Sequence, residues 1–403
     1  MSRGRRLAQL GLVVVVALVA GTILVGRPDA PRLAAALNGP SPPAGPFPTP
    51  APIQNPGADP GNLDDDIGSI MVVSTRGTDI SPALRALLTE GKVGGLLLFG
   101  SNFGSSPAGL RAWSDRLQAI ASSSCLDHPI LLMTDEEGGQ VAQVRAGFAP
   151  PSQLVAGAGG ADHVRALERA SAIGLRSAGL GLDLAPVADV RSNPLDNVIG
   201  ARSFGSSTGY VAPMVAAAVE GLHDGGVGAT LKHFPGLGGA AGDPHVAIPT
   251  DPESEAQWER VQMPAFQAGI AAGADAVMTT AVYVPGLGGG SMPALFSALV
   301  VSKLRTQLGF GGVIMTDSLS MGGIGVRWFL PDAAVLAVGA GNDLVLLSNG
   351  DPGYEADAMA AVRAAVLSGR LDRAAVHASA MRVNALRDKF GRRFIPCRSP
   401  TSA

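Results

Sequence analysis

The 403-residue sequence predicts an α/β chain folded as a (β/α)8 TIM barrel, on three observations. Eight short runs rich in Val, Leu and Ile recur from Asp64 onward. Ala-rich stretches with helical spacing separate them. Polar and ionisable residues gather where the runs end. A doubly wound parallel sheet shares the first two features and stays open at this point.

Composition supports a large folded core. Hydrophobic residues make up 46% of the chain and charged residues only 16%, which excludes a disordered chain. Aromatics are 4%, so that core is aliphatic and lined by Ala and Gly. Thirty Lys and Arg against 33 Asp and Glu leave a net charge of −3, which excludes a nucleic-acid binder acting through bulk basic charge. Two cysteines and six histidines supply neither a disulfide-rich scaffold nor a four-Cys zinc site.

Residues 1–26 read as a targeting segment outside the fold. Arg3, Arg5 and Arg6 precede an uncharged run, Leu7–Gly26, of bilayer-spanning length. The basic flank keeps the start of the chain in the cytoplasm and exports the rest. Val19-Ala20-Gly21 is a poor cleavage site, which favours a retained membrane anchor over a cleaved signal peptide. Residues 27–62 form a linker. Nine prolines and one charge, Asp59, over residues 38–62 make it extended and semi-rigid. Export places Cys125 and Cys397 in an oxidising compartment that permits a disulfide. The barrel is expected over 63–395, with a tail at 396–403.

The eight strands are expected at Ile67–Val73, Gly95–Phe99, Ile130–Thr134, Leu182–Val187, Ala229–His233, Ala276–Ala281, Gly312–Thr316 and Asp343–Ser348. Their short, continuous apolar character suits parallel strands buried on both faces. Pro107–Ala121, His163–Ala178 and Glu255–Ala272 have helix length and an apolar stripe. The stretch from Val144 to Asp162 shows no clear helix.

In a barrel, chemistry belongs at the C-terminal ends of the strands. Asn102, Asp135 with Glu137, Asp189, Lys232 with His233, and Asp317 all fall there. Asp317 ends an apolar run and is either the N-cap of a helix from about Leu319 or a functional carboxylate. The Gly-rich segment Leu231–His245 ends in Asp243-Pro244-His245. Pro244 pushes Asp243 toward an extended conformation, where residues two apart share a face. A carboxylate can then orient an imidazole for acid/base work. The same pair can equally be surface decoration. There is no His-Glu-x-x-His, no phosphate-binding Gly-x-x-x-x-Gly-Lys loop and no Gly-x-Ser-x-Gly elbow.

Seven ordered motifs resemble glycoside hydrolase family 3, in its β-N-acetylhexosaminidase branch, over about residues 64–350. They are Gly95–Phe99 with Asn102, Asp135-Glu136-Glu137-Gly138-Gly139, Ala185–Val190, Arg202-Ser203-Phe204-Gly205, Lys232-His233-Phe234-Pro235-Gly236, Asp243-Pro244-His245, and Thr316–Met321. The resemblance implies a retaining hydrolase on a single barrel. Asp317 would be the nucleophile, and His245, oriented by Asp243, the acid/base. Asp135, Arg202, Lys232, His233 and Met321 would bind the sugar. No metal or organic cofactor is implied. An exported member with a long linker points to a GlcNAc-containing glycan or muropeptide from the cell wall.

The sequence departs from the family pattern at several positions. Gln140 and Gln143 stand where arginines are usual, and Arg145 falls two residues late. Leu237 and Ala281 replace histidines, Ser318 replaces a second aspartate and Pro244 replaces a serine. A catalytically weakened sugar- or wall-binding barrel is therefore the second reading. Phosphorolysis on the same scaffold also stays chemically open.

Overall fold

A computed structural model of the chain describes residues 61–123, 127–144, 149–196 and 198–392. The N-terminal apolar run, the linker up to residue 60, Arg145, Cys125, Cys397 and the C-terminal tail lie outside the described residues.

Eight parallel strands form the expected barrel. They are β1 (Met71–Val73), β2 (Gly95–Leu97), β3 (Leu131–Thr134), β6 (Leu182–Asp183), β7 (Gly228–Phe234), β8 (Ala276–Thr279), β9 (Val313–Thr316) and β10 (Val345–Leu346). Between β3 and β6 lies an antiparallel hairpin, β4 (Glu136–Gly138) with β5 (Val141–Ala142). The barrel order is β10-β1-β2-β3-β6-β7-β8-β9. A bridge from Met315 to Leu344, with the Thr316 N–H donating to the Leu344 carbonyl, joins the two ends. The open doubly wound sheet is thereby excluded. Every barrel-strand residue is buried, as the continuous apolar runs predict.

The differences from expectation lie at element ends. Ile67–Ser69 belong to the helix Leu63–Ser69, so β1 starts only at Met71. Asn62 caps that helix by accepting from the Asp64 N–H, and Asp64, Asp65 and Asp66 fill its first turn. These polar signals outweigh the apolar Ile67. β6 stops at Asp183, and Val187 keeps only a bridge to Lys232. The helix expected over Glu255–Ala272 is two, Glu255–Val261 and Met263–Ala271. They break at Gln262, where Pro264 removes a backbone donor. Among the described residues of the Val144–Asp162 stretch, Gln153–Gly157 is a short helix, and the long helix Ala161–Ser177 begins at its end.

The face holding the strand N-termini is tied by the last helix, Arg373–Phe390. Arg373 and His377 meet Asp66 at 2.6 and 2.9 Å. The buried Arg387 donates to the Pro129 carbonyl at 2.8 Å and to the Ser69 hydroxyl at 3.1 Å. Lys389 meets Asp275, and Arg382 and Ser379 meet Asp343. One helix thus fastens residues preceding β1, β3, β8 and β10, which assigns this end of the barrel to stability.

Candidate active site

At the opposite face, β3 delivers Asp135 and then turns at once into the β4–β5 hairpin. Gly138 and Gly139 make that turn with φ of 86° and 59°. A Cβ at Gly138 would sit 2.4 Å from the Pro151 carbonyl oxygen, so both the conformation and the space require glycine. The turn drives Glu137 inward, where it is 1% exposed.

Glu137 is the hub of a charged network. It accepts from Arg202 Nε and Nη2, both at 2.7 Å, and meets Lys232 Nζ at 2.5 Å. Lys232 also donates to Asp135 at 2.6 Å. Arg202 reaches the network from a short 3-10 turn, Gly200–Arg202. The carboxylate of Asp196 shapes that turn by accepting from the Val198, Ile199 and Gly200 N–H groups at 2.9 Å each.

Lys232 and His233 are adjacent on β7, where regular alternation would send them to opposite faces. The register with β8 shifts between Lys232 and Phe234. That irregularity re-aims the chain and brings both side chains into one network. His233 Nδ1 donates to Asp189 at 2.7 Å, since a carboxylate can only accept. Its Nε2 then faces Arg202 Nη2 at 3.1 Å as the acceptor. Asp189 also takes the N–H groups of His233 and Leu237.

The electrostatics follow from this packing. Burial alone would raise the Glu137 carboxyl, but Lys232 and Arg202 outweigh it and hold it down at about 2. Burial would lower Lys232, yet Asp135 and Glu137 keep it above its ordinary value. The same balance, with Glu137 dominant, raises Arg202. The cradle is therefore a set of fixed charges.

Asp317 follows β9 and is half-buried. The next helix is Gly322–Gly325, with Met321 at its cap position, so Asp317 caps no helix. Its Oδ2 accepts from the buried Thr280 hydroxyl at 2.8 Å and its Oδ1 from the Ser318 N–H at 2.8 Å. The Asp317 N–H donates to the Thr279 carbonyl at 2.7 Å, fixing the backbone to the end of β8. Met321 is buried beneath this loop, its N–H donating to the Ser318 carbonyl.

The Asp243–His245 contact forms differently from the expected extended pair. The Asp243 carbonyl accepts from the Val246 and Ala247 N–H groups at 2.9 and 3.0 Å, so residues 243–247 make a tight turn. Asp243 Oδ1 accepts from the His245 N–H at 2.9 Å and from its Nδ1 at 2.8 Å. Asp243 acts as the cap of this turn, and Pro244 occupies the position after the cap that proline favours. Nδ1 is thereby committed to the carboxylate. His245 remains 67% exposed, with Nε2 available for proton transfer. Burial tends to raise Asp243, but the hydrogen bonds from His245 and the charge of Arg202 lower it.

Asp135, Lys232, His233 and Arg202 thus form one continuous network. Asp317 and the Asp243–His245 pair are separate units at the same end of the barrel, on loops that follow β9 and β7. Sequence reasoning placed Glu137 among the polar strand-end residues and in the Asp135–Gly139 motif but gave it no role in the site. It also missed Thr280, for which no sequence signal existed. Asn102 is a loop tie, with Nδ2 donating to the Thr75 and Gly77 carbonyls and Oδ1 accepting from Phe99. Gln143 turns its side chain to the Gly100 N–H at 2.8 Å, and Leu237 and Ala281 are buried in the core. Ser318 Oγ pairs with Ser348 Oγ at 2.6 Å. Among the described residues, no group of three or more His, Cys, Asp or Glu side chains is arranged to hold a metal ion.

Residues 62–386 match the family model described as the glycosyl hydrolase family 3 N-terminal domain. The chain is 35% identical over 288 residues to a β-hexosaminidase of Stenotrophomonas maltophilia, covering 69% of this chain and 83% of that protein. A β-hexosaminidase of Methylobacillus flagellatus is also 35% identical, over 70% of this chain and 81% of its own. Among solved structures, a family 3 β-N-acetylglucosaminidase from Paenibacillus sp. is 36% identical with a TM-score of 0.78. That match covers 81% of this chain but only 62% of the Paenibacillus protein. A β-N-acetylhexosaminidase from Beutenbergia cavernae is 32% identical with a TM-score of 0.74, over 82% of this chain and 99% of its own.

Proposed function

The chain belongs to glycosyl hydrolase family 3, and on that premise we propose that it is a retaining, exo-acting β-N-acetylglucosaminidase that removes terminal GlcNAc from cell-wall-derived glycans. The observation that carries this reading is Asp317 itself. It is a carboxylate at the C-terminal end of a barrel strand, held by the Thr280 hydroxyl, capping nothing and lying at the same end of the barrel as the charged cradle.

In the first step the Asp317 carboxylate attacks the anomeric carbon. The bond to the leaving oxygen breaks, and that oxygen takes the Nε2 proton of the His245 imidazolium. In the second step neutral His245 removes a proton from water. The water oxygen displaces Asp317 from the anomeric carbon and restores both side chains. Asp243 stabilises the imidazolium through Nδ1. A loop histidine thus stands where most glycosidases use a second carboxylate. Asp135, Arg202, Lys232 and His233 bind the hydroxyls and N-acetyl group, and Met321 contributes to the sugar site from the loop that carries Asp317. Asp135 is the most accessible of the polar four. The others are held by Glu137 and Asp189 at defined angles, so orientation costs little when substrate arrives.

The N-terminal composition supports a domain held outside the cytoplasmic membrane by residues 1–26 and the Pro-rich linker. Among the described residues, no helix is long and apolar enough to cross a membrane.

The test is hydrolysis of p-nitrophenyl N-acetyl-β-glucosaminide by wild type and Asp317→Asn, both checked for folding by circular dichroism. Turnover in the wild type that the substitution abolishes supports the proposal. A well-folded wild type that binds GlcNAc without turning over any substrate, with or without phosphate, overturns it in favour of a binding barrel. Turnover only with phosphate assigns phosphorolysis instead.

A further inference from the structure

We propose that Gly322 and Gly323 are positioning residues that seat the Asp243–His245 loop against the loop carrying Asp317. The inference rests on the catalytic roles proposed above. It goes beyond them by naming what holds the acid/base in place.

Nothing in the short turn at 243–247 reaches the barrel through a long side chain. Its backbone touches the segment after the nucleophile instead. The Gly323 N–H donates to the Pro244 carbonyl at 3.1 Å, and Pro244 is buried. A Cβ at Gly322 would lie 2.3 Å from the His245 carbonyl oxygen. A Cβ at Gly323 would lie 2.5 Å from the Pro244 carbonyl oxygen, 2.9 Å from the Ile248 nitrogen and 3.0 Å from the Ala247 carbonyl carbon. All four contacts are with backbone, which cannot swing aside as the end of a side chain can. Any side chain at either position therefore lifts the histidine turn off the nucleophile loop.

Two features make the seat selective. Gly322 lies five residues from Asp317 on a loop pinned to the barrel by the Leu319 N–H to the Leu346 carbonyl and by the Ser320 hydroxyl to the Leu347 carbonyl. The seat therefore shares its anchor with the nucleophile. The turn is internally closed by Asp243 and stiffened by Pro244, so it docks as one rigid piece. The relative placement of the two catalytic groups is then set by a backbone-on-backbone contact that only glycine permits. Gly325, three residues on in the same short helix, has nothing within 4 Å of its Cβ position and serves as the internal control.

The experiment compares Gly322→Ala, Gly323→Ala and Gly325→Ala in the full chain. Three assays are used: an N-acetyl-β-glucosaminide with a dinitrophenyl leaving group, one with a methyl leaving group, and the dinitrophenyl substrate with added azide. Loss of acid/base placement slows the methyl glycoside, whose leaving oxygen needs a proton, by about tenfold to a hundredfold in kcat. The dinitrophenyl glycoside loses less in kcat/KM because its leaving group departs unprotonated. Azide restores its turnover by attacking the glycosyl-enzyme without a general base. Gly325→Ala matches wild type in all three.

Hydrogen exchange supplies a readout independent of activity. The amide of residue 323, which donates to the Pro244 carbonyl across the seat, loses protection in Gly322→Ala and Gly323→Ala, with melting temperatures near wild type. Equal slowing of both leaving groups, absence of azide rescue, or unchanged protection of the amide at residue 323 overturns the proposal. If Gly323→Ala misfolds, the exposed Gly322 still decides the question. A wild type without turnover sinks the catalytic reading alone, and the exchange result still reports whether the seat exists.

Discussion

Replacing Glu137 by glutamine removes one charge and almost no volume from the centre of the cradle. The carboxylate accepts two hydrogen bonds from Arg202 and meets Lys232 at 2.5 Å. In the variant the amide nitrogen faces a cation donor against donor. Lys232 keeps only Asp135 as an anionic partner. Breaking a buried ion pair from one side costs about 3–5 kcal/mol. At about 2.1 cal/mol/K per residue, a barrel of about 325 residues unfolds with an entropy near 0.7 kcal/mol/K. Glu137→Gln should therefore melt about 4–7 °C below wild type at pH 7, followed by circular dichroism. The acid side gives a second check. The Glu137 carboxyl is held at about 2, below its ordinary 4.5. Its contribution is complete above pH 4.5 and fades as pH falls toward 2. Glutamine has no such proton to bind, so the gap between the proteins narrows as pH falls from 4.5 toward 2. Equal melting temperatures at pH 7, or a gap that is constant into acid, would refute the hub role.

Other outcomes follow from the same contacts. Thr280→Val deletes the hydroxyl that Asp317 accepts at 2.8 Å, and kcat should fall by about ten- to a hundredfold, as the loss of a charged hydrogen bond of about 1.5–3 kcal/mol implies, with the fold intact by circular dichroism. Asp66→Asn weakens its contacts with Arg373 and His377 at the opposite end of the barrel; it should lower the melting temperature and leave kcat and KM unchanged, and a fall in kcat would contradict the separation of the two ends. Burial pushes the Glu355 carboxyl up to about 7 despite the Ser74, Gly350 and Asn349 N–H groups it accepts. A raised carboxyl favours the fold most below pH 4.5 and loses that advantage as pH rises toward 7, so Glu355→Gln should flatten the stability profile over that interval in urea titrations.

The barrel was legible because parallel strands buried on both faces must be continuous apolar runs. Strand ends were less so. Ile67–Ser69 look like strand but are helix because Asn62 and the three aspartates cap and charge that turn. Asp135, Lys232, His233 and Arg202 were legible as polar residues at strand ends and in motifs. Their joint dependence on Glu137 was not, because it comes from a glycine turn and a register shift that no periodicity announces. Thr280 was invisible for a plainer reason. One hydroxyl at the end of β8 resembles any other until the fold brings Asp317 beside it. The Asp243–His245 pair was anticipated by the right contact with the wrong backbone, since the turn closed by the Asp243 carbonyl does what an extended segment was expected to do.

The most direct measurement is covalent trapping. The full chain is incubated with a fluorinated N-acetylglucosaminyl fluoride, which slows the second step more than the first, and the product is mapped by peptide mass spectrometry. The account predicts one glycosyl adduct per chain, on the peptide containing Asp317, absent from Asp317→Asn and longer-lived when His245 is replaced by alanine. An adduct on another residue, or steady turnover with an inverted product and no adduct, would contradict it.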